Sequence, residues 1–307
     1  MTAISPHDDA GDWRQWDNVW HVLQAGSDAI LYTADSPKTI LQFWQRAYFE
    51  DLWALMGPCR DTARYLELGS GRGTTSMYLA SKGCDVTLVD MAPAALQLAV
   101  RNFRSRGLRD PRTVIADARD TGLPAASVDC VYNIGLLEHF DDPRPVLRES
   151  LRLLKPGGLL FMVIVPEGSS WQSLPVRLTL NPAVTGLRLV KAVARRLSTR
   201  LSSHPQASDA GVDPSGSEMV RTNHSRQQYD HWMRELGEGD VRCLPYNPYF
   251  QVYRSAFLER HVTMPLYRAH LRFRAAWRTP PLLVAAARRT SCYLLVCRKT
   301  SPDITRG

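Results

Sequence analysis

An acid and three alternating glycines stand together at Glu67, Gly69, Gly71 and Gly73. Glycines so closely spaced make a turn whose backbone can come close to a ligand. Counted from Gly69, the dinucleotide fingerprint G-x-G-x-x-G would place its last glycine at position 74, which is Thr74. A carboxylate two residues before such a turn repels a pyrophosphate but suits an ammonium or sulfonium group. Asp90 ends an apolar run 17 residues after Gly73, where a carboxylate can accept hydrogen bonds from ribose hydroxyls. It can equally cap a helix beginning at Pro93. Asp117 ends the next apolar run. His139 follows a fourth, in the segment Gly135-Leu-Leu-Glu-His-Phe140. An imidazole there is a candidate general base for an acceptor hydroxyl or amine, or a structural corner.

These groups need a scaffold that brings strand ends together. Apolar runs at residues 64–68, 85–90, 113–118, 128–134 and 159–165 read as five strands. Between them lie helical patterns. Leu96, Ala99, Val100 and Phe103 mark the buried face of one, and Val146, Leu147, Leu151 and Leu154 that of another. Asp142-Pro143 is expected to start the second, and Pro156-Gly157-Gly158 to end it. Strands alternating with helices imply parallel pairing, with helices on both faces of the sheet.

The ordered set from Glu67 to Gly158 resembles the class I S-adenosylmethionine-dependent methyltransferases, closest to their small-molecule and lipid-quinone branches. The resemblance implies an α/β fold: a seven-stranded, mostly parallel, Rossmann-like sheet. Its last strand, at residues 291–298, would run antiparallel between the fifth and sixth. The implied cofactor is S-adenosylmethionine, leaving as S-adenosylhomocysteine, with no metal. Its implied contacts are Glu67, Gly69, Ser70, Gly71, Gly73, Asp90, Met91, Asp117, Ala118, Asn133 and Gly135, with Asp117 and its neighbour at the adenine.

The rest of the chain suggests additions to that core. Residues 1–57 read as a helical cap, with Trp13, Trp16 and Trp20 on one helical face and a second helix starting at Ser36-Pro37. Residues 58–167 are the cofactor-binding core. Residues 168–220 read as an insertion, a basic helix followed by a Ser/Pro/Gly-rich loop. Residues 221–250 and 290–299 complete the sheet, and residues 251–289 form a second insertion on the substrate side. Candidate acceptor-pocket residues are Trp20, Tyr32, His224, Tyr229 and Tyr246. Ordinary packing competes for each of them.

Charge divides the chain. Residues 1–170 hold 17 Lys and Arg against 21 Asp and Glu, and residues 171–307 hold 21 against 9. The overall +8 therefore belongs to the second half. Leu187, Val190, Ala194, Leu197 and Leu201 alternate there with Arg188, Lys191, Arg195, Arg196 and Arg200. Such a stripe suits a lid, or contact with an anionic membrane surface. The six cysteines have no metal-ligand spacing and read as reduced core thiols. With no signal design at the first residues, a cytoplasmic protein is expected, with the inner membrane surface as the alternative place.

Three function classes follow. A small-molecule methyltransferase, O- or N-methylating, leads, with a membrane-held lipid, quinone or cell-envelope glycan precursor as the alternative acceptor. A nucleic-acid methyltransferase is favoured by charge alone. Asn133 is followed by Ile134-Gly135 and not by the Pro-Pro-aromatic motif of that class. A non-catalytic cofactor-binding scaffold would show a damaged glycine turn or a missing Asp90, and both are intact.

Overall fold

The computed structural model describes residues 13–24, 30–165, 222–237, 239–246, 259–277 and 292–300. Seven strands form one sheet: β1 (Arg64–Leu68), β2 (Asp85–Asp90), β3 (Arg112–Ile115), β4 (Val128–Ile134), β5 (Leu154–Ile164), β6 (Asp240–Tyr246) and β7 (Cys292–Arg298). Their spatial order is β3-β2-β1-β4-β5-β7-β6. The first five pair in parallel, and β7 is antiparallel to both β5 and β6. The chain moves outward from β1 to β3, then returns to build β4 and β5 on the other side. The carboxyl ends of β1 and β4 thus flank the point where direction reverses, the place where open α/β sheets bind ligands.

Both faces of the sheet are buried, as parallel strands require. Along β5, Leu159, Phe161 and Val163 enter one apolar layer, and Leu160, Met162 and Ile164 the other. The first layer is closed by helices α2 (Ile40–Met56), α3 (Thr74–Ala80) and α4 (Pro93–Ser105). The second is closed by α5 (Arg144–Leu153) and α6 (Arg226–Glu235). An N-terminal helix, α1 (Trp13–Gln24), packs against α4, and α7 (Met264–Trp277) reaches α2 through Tyr267, whose ring stacks on Phe43 at 4.7 Å.

Several boundaries differ from those the sequence suggests. Helix α2 begins at Ile40 and not at Ser36-Pro37, because Thr39 and Gln42 form a reciprocal capping box. Asp142 does not cap α5 at its N-cap position. That position is Pro143, and the Asp142 carboxylate accepts from the Arg144 N–H one residue further on, at 3.0 Å. Helix α5 stops at Leu153, and Pro156-Gly157-Gly158 lies inside β5, whose Leu154 pairs with Val128. Strand β3 ends at Ile115, so Asp117 sits in the turn beyond it, bridged to Asp120. The basic stripe expected at residues 187–201 lies outside the described residues. Among the described residues no helix is long and apolar enough to cross a membrane.

Two buried polar links cross the first layer. Tyr246 on β6 donates to the Asp51 carboxylate on α2 at 2.6 Å. Glu67 shares the face of β1 that carries Tyr65, as the two-residue strand period dictates. Its carboxylate accepts from the Ser76 hydroxyl at 2.6 Å and from Tyr132 at 3.4 Å, and Ser76 also meets the Tyr132 hydroxyl. Burial pushes the Glu67 carboxyl up to about 7, against the lowering effect of those hydroxyls.

Each link generates a prediction. Tyr246→Phe strands part of a buried carboxylate and should lower stability by about 1–3 kcal/mol in urea unfolding. Unchanged stability would mean that the link does not hold α2 to β6. For Glu67, folding favours the protonated acid. That preference is fully present below the unfolded value of about 4.5 and is lost as pH rises through about 7. Wild-type stability should therefore fall by roughly 3 kcal/mol more than that of Glu67→Gln over this window. Parallel stability curves for the two proteins would show that the folded carboxyl is already ionised below it.

Candidate functional site

A pocket opens at the carboxyl ends of β1 to β4. It is lined by Gly69 after β1, Asp90 and Met91 at β2, Ala116, Asp117 and Ala118 after β3, and Gly135, Leu136, His139 and Phe140 after β4. Trp16 and Trp20 of α1 form its remaining wall. Its empty space, mouth included, is about 600 Å³.

The glycine turn needs its glycines. Gly69, Gly71 and Gly73 have φ of 60°, 48° and 66°, left-handed values that side chains resist. A Cβ on Gly71 would also lie 2.6 Å from the Trp20 ring, and one on Gly69 2.7 Å from Leu136. Gly73 serves packing, facing Ala99, Leu88 and Phe103 away from the pocket.

Asp90 organises the turn from the neighbouring strand. One carboxylate oxygen accepts from the Gly71 N–H at 2.9 Å and the other from the Ala92 N–H at 2.9 Å. It does not cap α4, whose N-cap is Ala92 without a side-chain bond. Burial raises the Asp90 carboxyl to about 6, opposed by these amides. The N–H of Ala94, in the first turn of α4, instead donates to Asp17 of α1 at 2.7 Å. The other Asp17 oxygen lies 3.3 Å from His21 Nε2. The Ala94–Asp17 bond fixes α1 across the pocket, with Trp20 on Gly71 and the Trp16 ring edge-on to His139 at 4.8 Å.

The remaining expected residues are divided. Ser70 is buried, and among the described residues its hydroxyl has no hydrogen-bond partner. Asn133 is fully buried in β4, its amide donating to the Met162 sulfur, and lies behind the pocket lining. Glu67 is likewise behind it, under α3. Among the acceptor candidates Trp20 lines the pocket. Tyr32 does not, because its ring packs on Tyr78 at 4.7 Å within the apolar layer. Tyr246 is engaged by Asp51. Tyr229 is fully buried on the sheet-facing side of α6, and His224 Nε2 is 2.9 Å from the Asp141 carbonyl. Ala116, Leu136 and Phe140 line the pocket outside the expected set, and Trp16, expected on one helical face with Trp20, lines it beside that residue.

The arrangement sets carboxylates at one side, an imidazole at the other, and aromatic rings between. It suits a ligand with a polar, hydroxyl-bearing part and an apolar or cationic part. Among the described residues no cluster of His, Cys, Asp and Glu could hold a metal ion.

Known proteins share this core. Residues 66–162 match the family model described as a methyltransferase domain. A ubiquinone biosynthesis O-methyltransferase of Xanthomonas axonopodis pv. citri (strain 306) is 32% identical over 131 residues, 43% of this chain and 54% of that protein. The enzyme of the same description from Stutzerimonas stutzeri (strain A1501) is 35% identical over 99 residues, 32% of this chain and 42% of that protein. The chain thus spans about half the length of the curated relatives it matches. Among solved structures, the [4+2]-cyclase SpnF superposes with a TM-score of 0.55 at 18% identity, covering 97% of this chain and 99% of that one. Haemonchus contortus phosphoethanolamine N-methyltransferase 2, in complex with S-adenosyl-L-methionine, gives 0.54 at 14% identity, covering 93% and 57%. The structural likenesses speak for the fold alone, and the sequence match for the core. Residues 66–162 of this chain belong to the methyltransferase-domain family, built on the class I, Rossmann-like sheet.

Proposed function

We propose that this chain binds S-adenosylmethionine and transfers its methyl group to a small molecule with an apolar or aromatic body, through a hydroxyl oxygen. The observation that carries the reading is the meeting of Gly69, Asp90, Asp117 and His139 in one aromatic-walled pocket at the strand switch point. The O-methyltransferase relatives support oxygen as the accepting atom. The basic second half of the chain and the ubiquinone biosynthesis in those relatives' names support a further reading, an acceptor held at an anionic membrane.

The residues fit the cofactor. The cradle of Gly69 and Gly71 leaves room only for backbone, and the buried Ser70 hydroxyl between them has no partner among the described residues. Trp16, Trp20 and Phe140 offer ring faces and edges suited to a sulfonium. Gly69, Ser70 and Gly71 would hold the amino-acid part, Asp90 and Met91 the ribose, and Asp117 and Ala118 the base, with Gly135 beneath. Glu67, Gly73 and Asn133 act from behind, fixing the turn, α3 and β4. When bound, the cofactor supplies a methyl group already activated on sulfur. The protein's part is then positioning, exclusion of water by the two tryptophans, and removal of the acceptor's proton. His139 borders the same pocket and is the group that would take that proton.

Calorimetry with S-adenosylmethionine and S-adenosylhomocysteine tests the reading directly, and failure to bind either would end it. Asp90→Ala should weaken binding by about tenfold to a hundredfold in a folded protein, since it removes a charged acceptor and frees the glycine turn. Equal affinity would confine Asp90 to a structural role. His139→Ala should leave cofactor affinity nearly unchanged while turnover on a phenolic acceptor falls by about a hundredfold or more. Undiminished turnover would place the base elsewhere.

A further inference from the structure

Asp117 lines the pocket, but the group that controls it does not. Arg119, two residues on, closes its guanidinium fork on the Asp117 carboxylate. Oδ1 accepts from the Arg119 backbone N–H at 2.8 Å and from Nε at 3.0 Å. Oδ2 accepts from Nη2 at 2.6 Å and from the shared Nε at 3.2 Å. The pair is largely sheltered, with side chains 21% and 18% exposed for Arg119 and Asp117. On its other side the guanidinium lies over the Phe140 ring, 5.7 Å from its centre. Phe140 also lines the pocket. One side chain outside the lining therefore holds two wall residues, one after β3 and one after β4.

A carboxylate oxygen has about two lone-pair directions. Oδ1 has both in use. Oδ2 has one strong donor and a share in another, which leaves it one open direction. The fork also prevents the carboxylate from rotating, because turning it would break parallel charge-assisted bonds. A ligand reaching Asp117 meets a fixed acceptor that can take a single N–H and cannot adapt to a different pattern.

We propose that Arg119 is a positioning residue that makes this pocket selective for a purine bearing an exocyclic amine. The inference rests on the reading that the base of S-adenosylmethionine lies against Asp117. With the carboxylate locked, an amine donates into the open direction of Oδ2. A carbonyl oxygen in the same place sets two acceptors against each other and leaves the carboxylate without its donor, the arrangement that yields strong discrimination. Once Arg119 is gone, Asp117 can swing toward the ring N–H that a hypoxanthine carries, and the discrimination collapses.

The test compares S-adenosylhomocysteine with its deaminated analogue, S-inosylhomocysteine, by calorimetry on the full chain. Wild-type protein should prefer the amine-bearing ligand by about tenfold to a hundredfold. Arg119→Ala should bring the preference below about threefold, mainly by strengthening the inosyl ligand. Arg119→Gln, which keeps bulk over Phe140 but not the fork, should do the same, and guards against misfolding of the alanine variant. A preference unchanged in both variants, or tighter adenosyl binding without Arg119, overturns the role of Arg119 while leaving the cofactor reading intact. Equal wild-type binding of the two ligands also overturns it. No wild-type binding of either ligand would remove the cofactor reading on which it rests.

Discussion

The site hangs on a carboxylate that bonds sideways. Asp90 belongs to β2, yet one of its oxygens holds the Gly71 amide in the turn after β1. Strand pairing stops where the strands stop. Beyond that point two loops would diverge, each with unpaired backbone donors. Asp90 prolongs the connection by one more bond, and its second oxygen satisfies the turn after its own strand. The left-handed glycines are a consequence, because only residues without a Cβ can follow the path this bond imposes. Burying such an acid is costly, and the two amides offset part of that cost. The same residue thus shapes the pocket floor and faces into the pocket.

The aromatic wall depends on a second bond of this kind. Asp17 comes from a helix 77 residues earlier than the amide it accepts from. Helix N-termini carry unsatisfied donors, and α4 has no local cap. Its need is met by α1, so the position of Trp16 and Trp20 over the pocket is coupled to the start of α4. Trp16 then meets His139 edge-on, which restricts the imidazole on the side facing the pocket.

Much of this was legible in the residues. Apolar runs punctuated by glycine and acid located β1 to β5, and the spacing of Gly69, Gly71 and Gly73 separated this turn from a dinucleotide site. The antiparallel place of β7 came from resemblance, since no local pattern encodes which edge a final strand joins. Glu67 illustrates a readable fact left unread: it is two residues from Tyr65 and so faces the same buried layer, not the strand end. Tyr32, Tyr229 and Tyr246 had the right chemistry for a pocket, but tertiary packing decides whether a tyrosine lines a cleft or fills a core. Asp17 and Arg119 could not be assigned, because a capping partner 77 residues away and a bond to a ring across the pocket are properties of the fold.

The order of the strands carries a consequence for how the chain is made. Residues 64–140, which supply the strand-end wall of the pocket, are contiguous, and their strands pair with one another and with β5. Strand β6 is different. Among the described residues it pairs with β7 alone, and β7 must slot between β6 and a β5 that was synthesised more than a hundred residues earlier. During vectorial synthesis the cofactor half can order first, while the outer edge of β5, with Leu160 and Met162 in its apolar face, waits for residues 292–298. Until that strand arrives, the chain presents an unpaired hydrophobic strand edge. Docking of β7 therefore also closes the edge of β5 to pairing with another molecule.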